Sequence, residues 1–239
     1  MIAGAEIAEG IWFFQSSEDS RNYIIVLGDG GAVLVDPTPP VEMDAVRRFL
    51  QEGGYALKAV AFTSLALAPE KLSSGIADAW SGVPHITPAT VGGRSPLPGM
   101  PESWEVVPLG SGEHIGLYNT AQRVLLSGGV LSGGPIPSLK QESRSYIAAL
   151  DAIDGLGARL VVPASGHIAR GKRAIRERIQ RERSYISSLR IHVISAIVSE
   201  VPLDRVLEVA ASVYEQYPFV NAHLQNISVV WNELAAPDD

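Results

Sequence analysis

The segment Ala61-Phe62-Thr63-Ser64-Leu65-Ala66-Leu67-Ala68-Pro69 gives the strongest indication of the fold. It completes an apolar run at residues 58–63 that predicts a buried strand. It then leads into a helix predicted from Pro69 to Trp80, because proline is well accepted in the first turn of a helix. Ser64 is the only polar residue between Thr63 and Pro69, so this strand-to-helix turn offers no histidine, cysteine or carboxylate.

Outward from this segment, short apolar strands alternate with helices. The predicted strands are Ile11–Gln15, Asn22–Leu27, Ala32–Asp36, Lys58–Thr63, Val83–Thr87, Trp104–Pro108, His114–Asn119, Arg123–Ser127 and Arg159–Pro163, and the predicted helices are Val41–Gln51 and Ser138–Ile153. The pair Asp29-Gly30 between two of these strands predicts a tight hairpin. This alternation is typical of a layered α/β domain.

The pattern changes to helices alone after about Gly171. These helices are predicted at Lys172–Ser199, Leu203–Tyr217 and Asn221–Leu234, and Pro202 and Pro218 mark the breaks between them. We therefore predict an α/β domain over residues 1–170 and a helical subdomain over residues 171–239 that packs on it.

Composition limits the class of protein. A chain of 239 residues with 46% hydrophobic content can bury a large core, and its net charge of -7 argues against a general nucleic-acid binder. Without cysteine it has no disulfide and no thiolate site. Because no apolar run approaches the roughly 18–20 residues that span a bilayer and no signal peptide is evident, we expect no membrane association and a cytoplasmic location.

Six segments occur in an order that resembles the metallo-β-lactamase-fold hydrolases, from about Ile11 to His167. They are Asn22-Tyr23-Ile24-Ile25, the strand end Gly31–Asp36, Phe62-Thr63, Gly110–Tyr118 (GSGEHIGLY), Arg123–Gly129 (RVLLSGG) and Val161–Gly166 (VVPASG). The resemblance implies a four-layer αββα sandwich of two β-sheets covered by helices, followed by a C-terminal helical extension.

The same resemblance implies that the family's metal site is lost. In that family the turn after the strand reads Thr-His-x-His-x-Asp-His, and here the threonine is Thr63. The positions of the seven metal ligands fall on Ser64, Ala66, Ala68, Pro69, Gly110, Gly129 and Ser165. None of these is a zinc or iron ligand, so we predict no metal and no cofactor. Asp36 matches the family's strand-end aspartate, and we expect it to fix backbone hydrogen bonds.

The remaining histidines leave a catalytic alternative open. His85, His114 and His167 lie near predicted strand ends that face the former metal site, and Glu113 beside His114 is a candidate general base. These residues would serve a rearranged hydrolase for an ester, a thioester or a lactone. The favoured hypothesis is instead a non-catalytic pseudoenzyme that binds a small molecule or a protein.

Two surface features concern partners. Residues 170–183 carry seven cations against Glu177 and Glu182, and the pairing of Glu177 with Arg181 favours a solvated helix face over a nucleic-acid site. The stripe Ile227, Val230, Trp231 and Leu234 predicts packing on the main domain. Trp231 and Tyr217 are candidate contacts of a homodimer.

Overall fold

The computed structural model describes residues 4–15, 21–29, 31–37, 40–64, 82–140 and 142–236. Their strands form two six-stranded mixed sheets. The first sheet contains, in spatial order, β1 (Ala5–Ala8), β2 (Ile11–Gln15), β3 (Asn22–Gly28), β4 (Gly31–Val35), β5 (Ala56–Ala61) and β6 (His85–Ile86). In the second sheet, β7 (Ser95–Pro96), β8 (Trp104–Leu109), β9 (His114–Asn119), β10 (Val124–Gly128), β11 (Leu160–Pro163) and β12 (Ala169–Arg170) follow one another.

Local sequence accounts for the pairing within each sheet. Gly28 pairs with Gly31 at the end of the antiparallel ladder between β3 and β4, which confirms the predicted hairpin. The next connection, through helix α1 (Pro40–Gly53), returns the chain to a parallel neighbour, β5. In the second sheet the crossover through α2 (Ser143–Leu156) likewise makes β10 and β11 parallel.

Three apolar clusters separate four layers. The central cluster lies between the sheets and joins residues such as Ile24 and Val33 of the first to Leu117 and Val162 of the second. A second cluster packs α1 on the outer face of the first sheet, and the third packs helices on the outer face of the second sheet. The four-layer αββα sandwich that the resemblance implied is therefore confirmed.

The helical tail consists of α3 (Lys172–Val198), α4 (Leu203–Tyr214) and α5 (Val220–Ala235). Ile175 and Ile179 in the first half of α3 are buried in the same cluster as Ile227 and Val230 of α5, so that cluster runs from the second sheet into the tail. The predicted inward stripe on α5 is confirmed, since Trp231 also packs against this cluster. Helix α4 differs, because none of its residues is buried.

The basic segment at the start of α3 is used in ion pairs. Arg183 pairs with Asp151 of α2, and Arg176 lies 3.8 Å from Asp154 of the same helix. Glu177 pairs with Arg173 at 2.7 Å, so the predicted pairing of Glu177 with Arg181 is wrong. Two of the seven cations, Arg176 and Arg183, therefore lie against acidic residues of α2.

One predicted helix boundary is wrong for a clear reason. Helix α2 begins at Ser143 and not at Ser138, because Asn226 of α5 holds the preceding segment in an irregular conformation. Asn226 Oδ1 accepts a hydrogen bond from Leu139 N at 2.8 Å, and Asn226 Nδ2 donates to Pro137 O at 2.8 Å. The short strands β1, β7 and β12 were not predicted, and the helix predicted at 69–80 lies outside the described residues. Within the described part of the chain, no helix combines the length and apolar character needed to cross a membrane.

Candidate functional site

The described positions that match the metal ligands of the resembling family lie at one edge of the sandwich, where β5, β10 and β11 end. The chain passes from β5 toward the second sheet at this edge, since Thr63 O accepts a hydrogen bond from Ile115 N at 2.9 Å. Ser64 forms a β-bridge with His114. This edge therefore brings together several of the positions singled out in the sequence.

Asp36 is the buried polar anchor of this edge. Its Oδ1 accepts a hydrogen bond from Thr63 N at 2.8 Å, and its Oδ2 accepts one from Thr63 Oγ1 at 2.7 Å. Burial raises the pKa of Asp36 to about 6, although the two hydrogen bonds from Thr63 and the charge of Arg21 oppose the shift. The carboxyl group is thus committed to the backbone at the end of β5.

Asn22 forms hydrogen bonds that join the first sheet to the second at the same edge. Its Nδ2 donates to Pro163 O and to Gly166 O, each at 3.0 Å, and its backbone N donates to Ala164 O at 2.8 Å. The start of β3 is thereby joined to the loop after β11. The scaffold that orders the edge is intact, even though the residues that would carry chemistry differ.

The four described positions of former ligands have unlike surroundings. Ser64 is buried and Ser165 is exposed. Gly110 has a φ of 75°, and a Cβ there would lie 2.5 Å from Ser145 O of α2, so no longer side chain fits. At Gly129 a Cβ would meet only the ring of His114, at 3.8 Å. The other three positions, Ala66, Ala68 and Pro69, lie outside the described residues.

This donor set does not fit a zinc or iron centre. Zinc in proteins takes three or four histidine, cysteine or carboxylate ligands, whereas the described positions offer two hydroxyls and two glycines. Across the described ranges, no group of three or more His, Asp or Glu side chains converges in a way that could hold a metal ion. The closed surroundings of Gly110 also mean that a histidine placed there would not restore the site.

The three candidate histidines are held in different environments. His85 lies in the first sheet, with its ring 5.9 Å from Phe62 in an edge-to-face arrangement. His114 begins β9 and faces Gly129, whereas His167 is exposed in the loop after β11. The backbone of His167 accepts a hydrogen bond from Arg178 at 2.6 Å.

His114 and Glu113 have the clearest electrostatic features of this edge. Burial lowers the pKa of His114, and its Nδ1 is buried with no hydrogen-bond partner among the described residues. Desolvation raises the pKa of Glu113, and the nearby Glu142 raises it further. His114 is therefore a neutral imidazole at pH 7 with a nitrogen that faces the former ligand position at Gly129.

A second candidate site lies outside the predicted one. A cavity of about 700 Å³ opens between α3 and α4, with α5 at its floor. Its lining is mainly apolar and includes Leu189 and Val193 of α3, Val206 and Ala210 of α4, and Ile227 of α5. The sequence signal for this site was the apolar content of α4, whose Val209 and Val213 remain exposed.

The fold and the edge together define a two-sheet αββα scaffold whose edge, in the part of the chain that the structure describes, holds no cluster of strong metal ligands. The structure is similar to the DIM-1 metallo-β-lactamase exposed to ceftazidime, with 17% identity, a TM-score of 0.59, and coverage of 77% of this chain and 97% of that one. It is also similar to FIM-1 from Pseudomonas aeruginosa in its mono-zinc form, with 12% identity, a TM-score of 0.53, and coverage of 77% and 96%. The chain therefore has the metallo-β-lactamase fold.

A further similar structure is named as a sensor and not as a hydrolase. It is the apo state of the chemotaxis sensor ODP from T. denticola, with 16% identity, a TM-score of 0.54, and coverage of 75% of this chain and 93% of that one. No family model and no curated protein matches the sequence. The structural comparisons accordingly establish the fold alone. Evidence on function comes from the edge of the sandwich and from the cavity between α3 and α4.

Proposed function

We propose that this chain is a non-catalytic, metal-free member of the fold that binds a small molecule. The observation that carries this proposal is the contrast at the edge of the sandwich. Asp36 and Asn22 hold the edge in order, whereas the described positions of the metal ligands carry hydroxyl groups or no side chain. A fold maintained without its hydrolytic donors is suited to binding.

The chemistry of the fold supports this conclusion. A metal centre in such a site generates the nucleophile by lowering the pKa of bound water, and that role requires strong donors around an open position. Ser64 and Ser165 do not replace imidazole ligands. The apolar cavity between α3 and α4 has the size and character of a small-molecule pocket, which supports the binding hypothesis.

Zinc loading tests this proposal directly. After incubation with excess zinc and desalting, the full chain is expected to retain well under one equivalent by elemental analysis, because strong ligands do not converge at the edge. The variant His114→Ala is the control for weak capture by the buried imidazole. Retention of one or two equivalents by the native chain would refute the metal-free proposal, and the result for His114→Ala would show whether His114 is one of the ligands.

The rearranged hydrolase is the second candidate, and the free Nδ1 of His114 favours it. A neutral imidazole beside the open position at Gly129 is able to accept a proton from water or from a serine. Hydrolysis of short esters, thioesters or lactones that disappears in His114→Ala and persists in His192→Ala would support this function. Equal rates in both variants and the native chain would exclude a role for His114.

Association with a protein partner, including a second copy, remains a proposal. Its support is a stripe of exposed apolar side chains on α3, formed by Ile191, Ile194 and Val198. Trp231 is a weaker candidate than the sequence indicated because it packs against the core, whereas Tyr217 is 42% exposed. Light scattering of the full chain measures whether a homodimer forms.

A further inference from the structure

We infer that the cleft between α3 and α4 binds a mainly apolar molecule that ends in an acidic or carbonyl oxygen, with a medium-chain carboxylic acid as the representative ligand. This inference rests on the proposed binding function and specifies its ligand class. It depends on three properties of the cleft, which are its apolar walls, an oriented hydrogen-bond donor among its lining residues, and the sign of the charges that line it.

The walls of the cleft are apolar and already ordered. Leu189, Val193 and Ile227 are at most 5% exposed, so they are packed into the core and present a preformed floor. Val206 and Ala210 of α4 face them from the other side. A cavity of about 700 Å³ with such walls lies within the range of roughly 300–1,000 Å³ that is usual for small-molecule sites.

A chain of hydrogen bonds orients the N–H donor of His223, one of the residues that line the cleft. The side chain of Asn226 is fully buried, and its amide is oriented because Oδ1 accepts from Leu139 N. Asn226 Nδ2 therefore donates to Tyr185 OH, at 3.0 Å. Among the described residues, the phenolic proton of Tyr185 has no acceptor other than His223 Nδ1, 2.8 Å away, so the arrangement in which Tyr185 donates this hydrogen bond satisfies both groups.

The consequence is a defined tautomer of His223. Because Nδ1 accepts a proton from Tyr185, the neutral ring carries its own proton on Nε2. Burial, followed by the neighbouring His192, lowers the pKa of His223, so the neutral form prevails at pH 7. Tyr214 packs edge-on against the ring at 4.7 Å and holds its orientation. No hydrogen bond joins Nε2 to any described residue, so this N–H is available to an acceptor in the cleft.

The charges of the lining favour an acidic end over a basic one. Among the described residues that line the cleft, none is acidic, and Arg205 carries a positive charge. Arg205 also pairs with Glu208, which reduces its contribution. A carboxylate or a carbonyl oxygen would satisfy the N–H donor of His223, whereas an ammonium group would meet no acidic residue of the lining and would leave that donor without an acceptor.

A small molecule explains these features better than a second copy of the chain does. The exposed stripe of Ile191, Ile194 and Val198 lies on a different face of α3 from the cleft, since these residues follow an i, i+3, i+7 spacing offset from Leu189 and Val193. A protein surface would cover that exposed stripe, whereas His223 lines the concave cleft.

Calorimetric titration of the full chain at pH 7.5 tests the inference with decanoic acid, decanol and decylamine as probes. Decanoic acid is expected to bind at one site per chain, at least tenfold more tightly than decylamine. Ala210→Trp, which fills the cleft, should weaken its binding at least tenfold. Val209→Trp at the rim should weaken it as well and provides a second variant whose exposed position tolerates the change. Ile191→Trp, on the opposite face of α3, is the matched control and should bind normally.

A separate variant tests the N–H donor of His223. His223→Phe keeps an aromatic ring and removes the N–H, so the preference for decanoic acid over decylamine should fall to within about threefold while decanol still binds. Several results would overturn the inference: no saturable binding of decanoic acid, equal binding by the two filling variants and Ile191→Trp, or equal affinity for decylamine. A dimer that the filling variants dissociate, without binding of decanoic acid, would assign the cleft to a second copy. Because zinc loading and hydrolysis are measured separately, the ligand class can fail while the metal-free proposal stands.

Discussion

Glu182→Gln is expected to raise the free energy of unfolding at pH 8 by about 3 kcal/mol. Glu182 lies on α3 and is 1% exposed, and its Oε2 accepts a hydrogen bond from Tyr146 OH at 2.8 Å. Burial raises its pKa from the usual 4.5 to about 7, even though Tyr146, Arg178 and Arg181 act in the opposite direction. Glutamine keeps an acceptor for Tyr146 and removes the need to ionise inside the core.

The pH dependence follows from the direction of this shift. The folded chain holds the proton of Glu182 to a higher pH than the unfolded chain does. The resulting stability is complete below pH 4.5 and is lost as the pH rises through about 7. Asp36 adds a similar loss between about pH 3.8 and about 6. The native chain should therefore lose stability from pH 4.5 to pH 8, and Glu182→Gln should show a smaller loss that ends near pH 6.

Denaturant unfolding at pH 4.5, 6 and 8 measures this effect. Glu177→Gln is the matched control, because Glu177 is exposed on the same helix and pairs with Arg173 at the surface. It should change stability by less than about 0.5 kcal/mol. Parallel pH profiles for the native chain and Glu182→Gln would show that Glu182 titrates normally and would contradict the prediction.

Gly128→Ala is expected to destabilise the protein by about 3–4 kcal/mol. Gly128 ends β10 with a φ of 59°, which costs an L-residue about 1–2 kcal/mol. Its added Cβ would also lie 1.7 Å from Thr63 Oγ1 and 2.3 Å from Thr63 Cβ. Thr63 cannot move away easily, because Asp36 holds both its backbone N and its hydroxyl.

Gly155→Ala is the control for this substitution. Gly155 is exposed near the end of α2, and nothing lies within 4 Å of an added Cβ. In a helix, alanine is favoured over glycine, so this variant should be stabilised by about 0.5 kcal/mol. Thermal unfolding of both variants checks the pair. A melting temperature of Gly128→Ala close to that of the native chain would mean that the edge around Thr63 rearranges freely.

The predicted site and the observed edge agree where the sequence carries a local rule. The hairpin between β3 and β4 could be predicted, because an Asp-Gly pair between two apolar strands is typical of a tight turn. Strands β3, β4 and β10 could be predicted from their apolar runs, because strands that are buried on both faces need continuous apolar side chains. The identity of Ser64, Gly110, Gly129 and Ser165, which match ligand positions of the resembling family, was the basis for predicting that this edge lacks strong metal ligands.

The cleft could not be predicted in the same way. Its floor depends on Asn226, which bonds to Leu139 and Pro137 across about ninety positions of sequence, and on the meeting of Tyr185 with His223. Tyr185 and His223 each fit the helical pattern of their own segment, so neither was distinguished by its neighbours. For the same reason Glu182 was counted among the surface charges of a basic helix, whereas packing against α2 buries it.

The sequence by itself thus determined the layered fold, which follows from the periodicity of residues close together in the chain, such as the apolar strands on either side of Asp29-Gly30. The loss of the metal ligands stays a prediction that the family resemblance implies. The tertiary structure alone decided which polar groups are buried, that no side chain fits at Gly110, and that a cleft opens between α3 and α4. These features arise from contacts between distant segments, whose distances and burial are set by packing and not by local pattern.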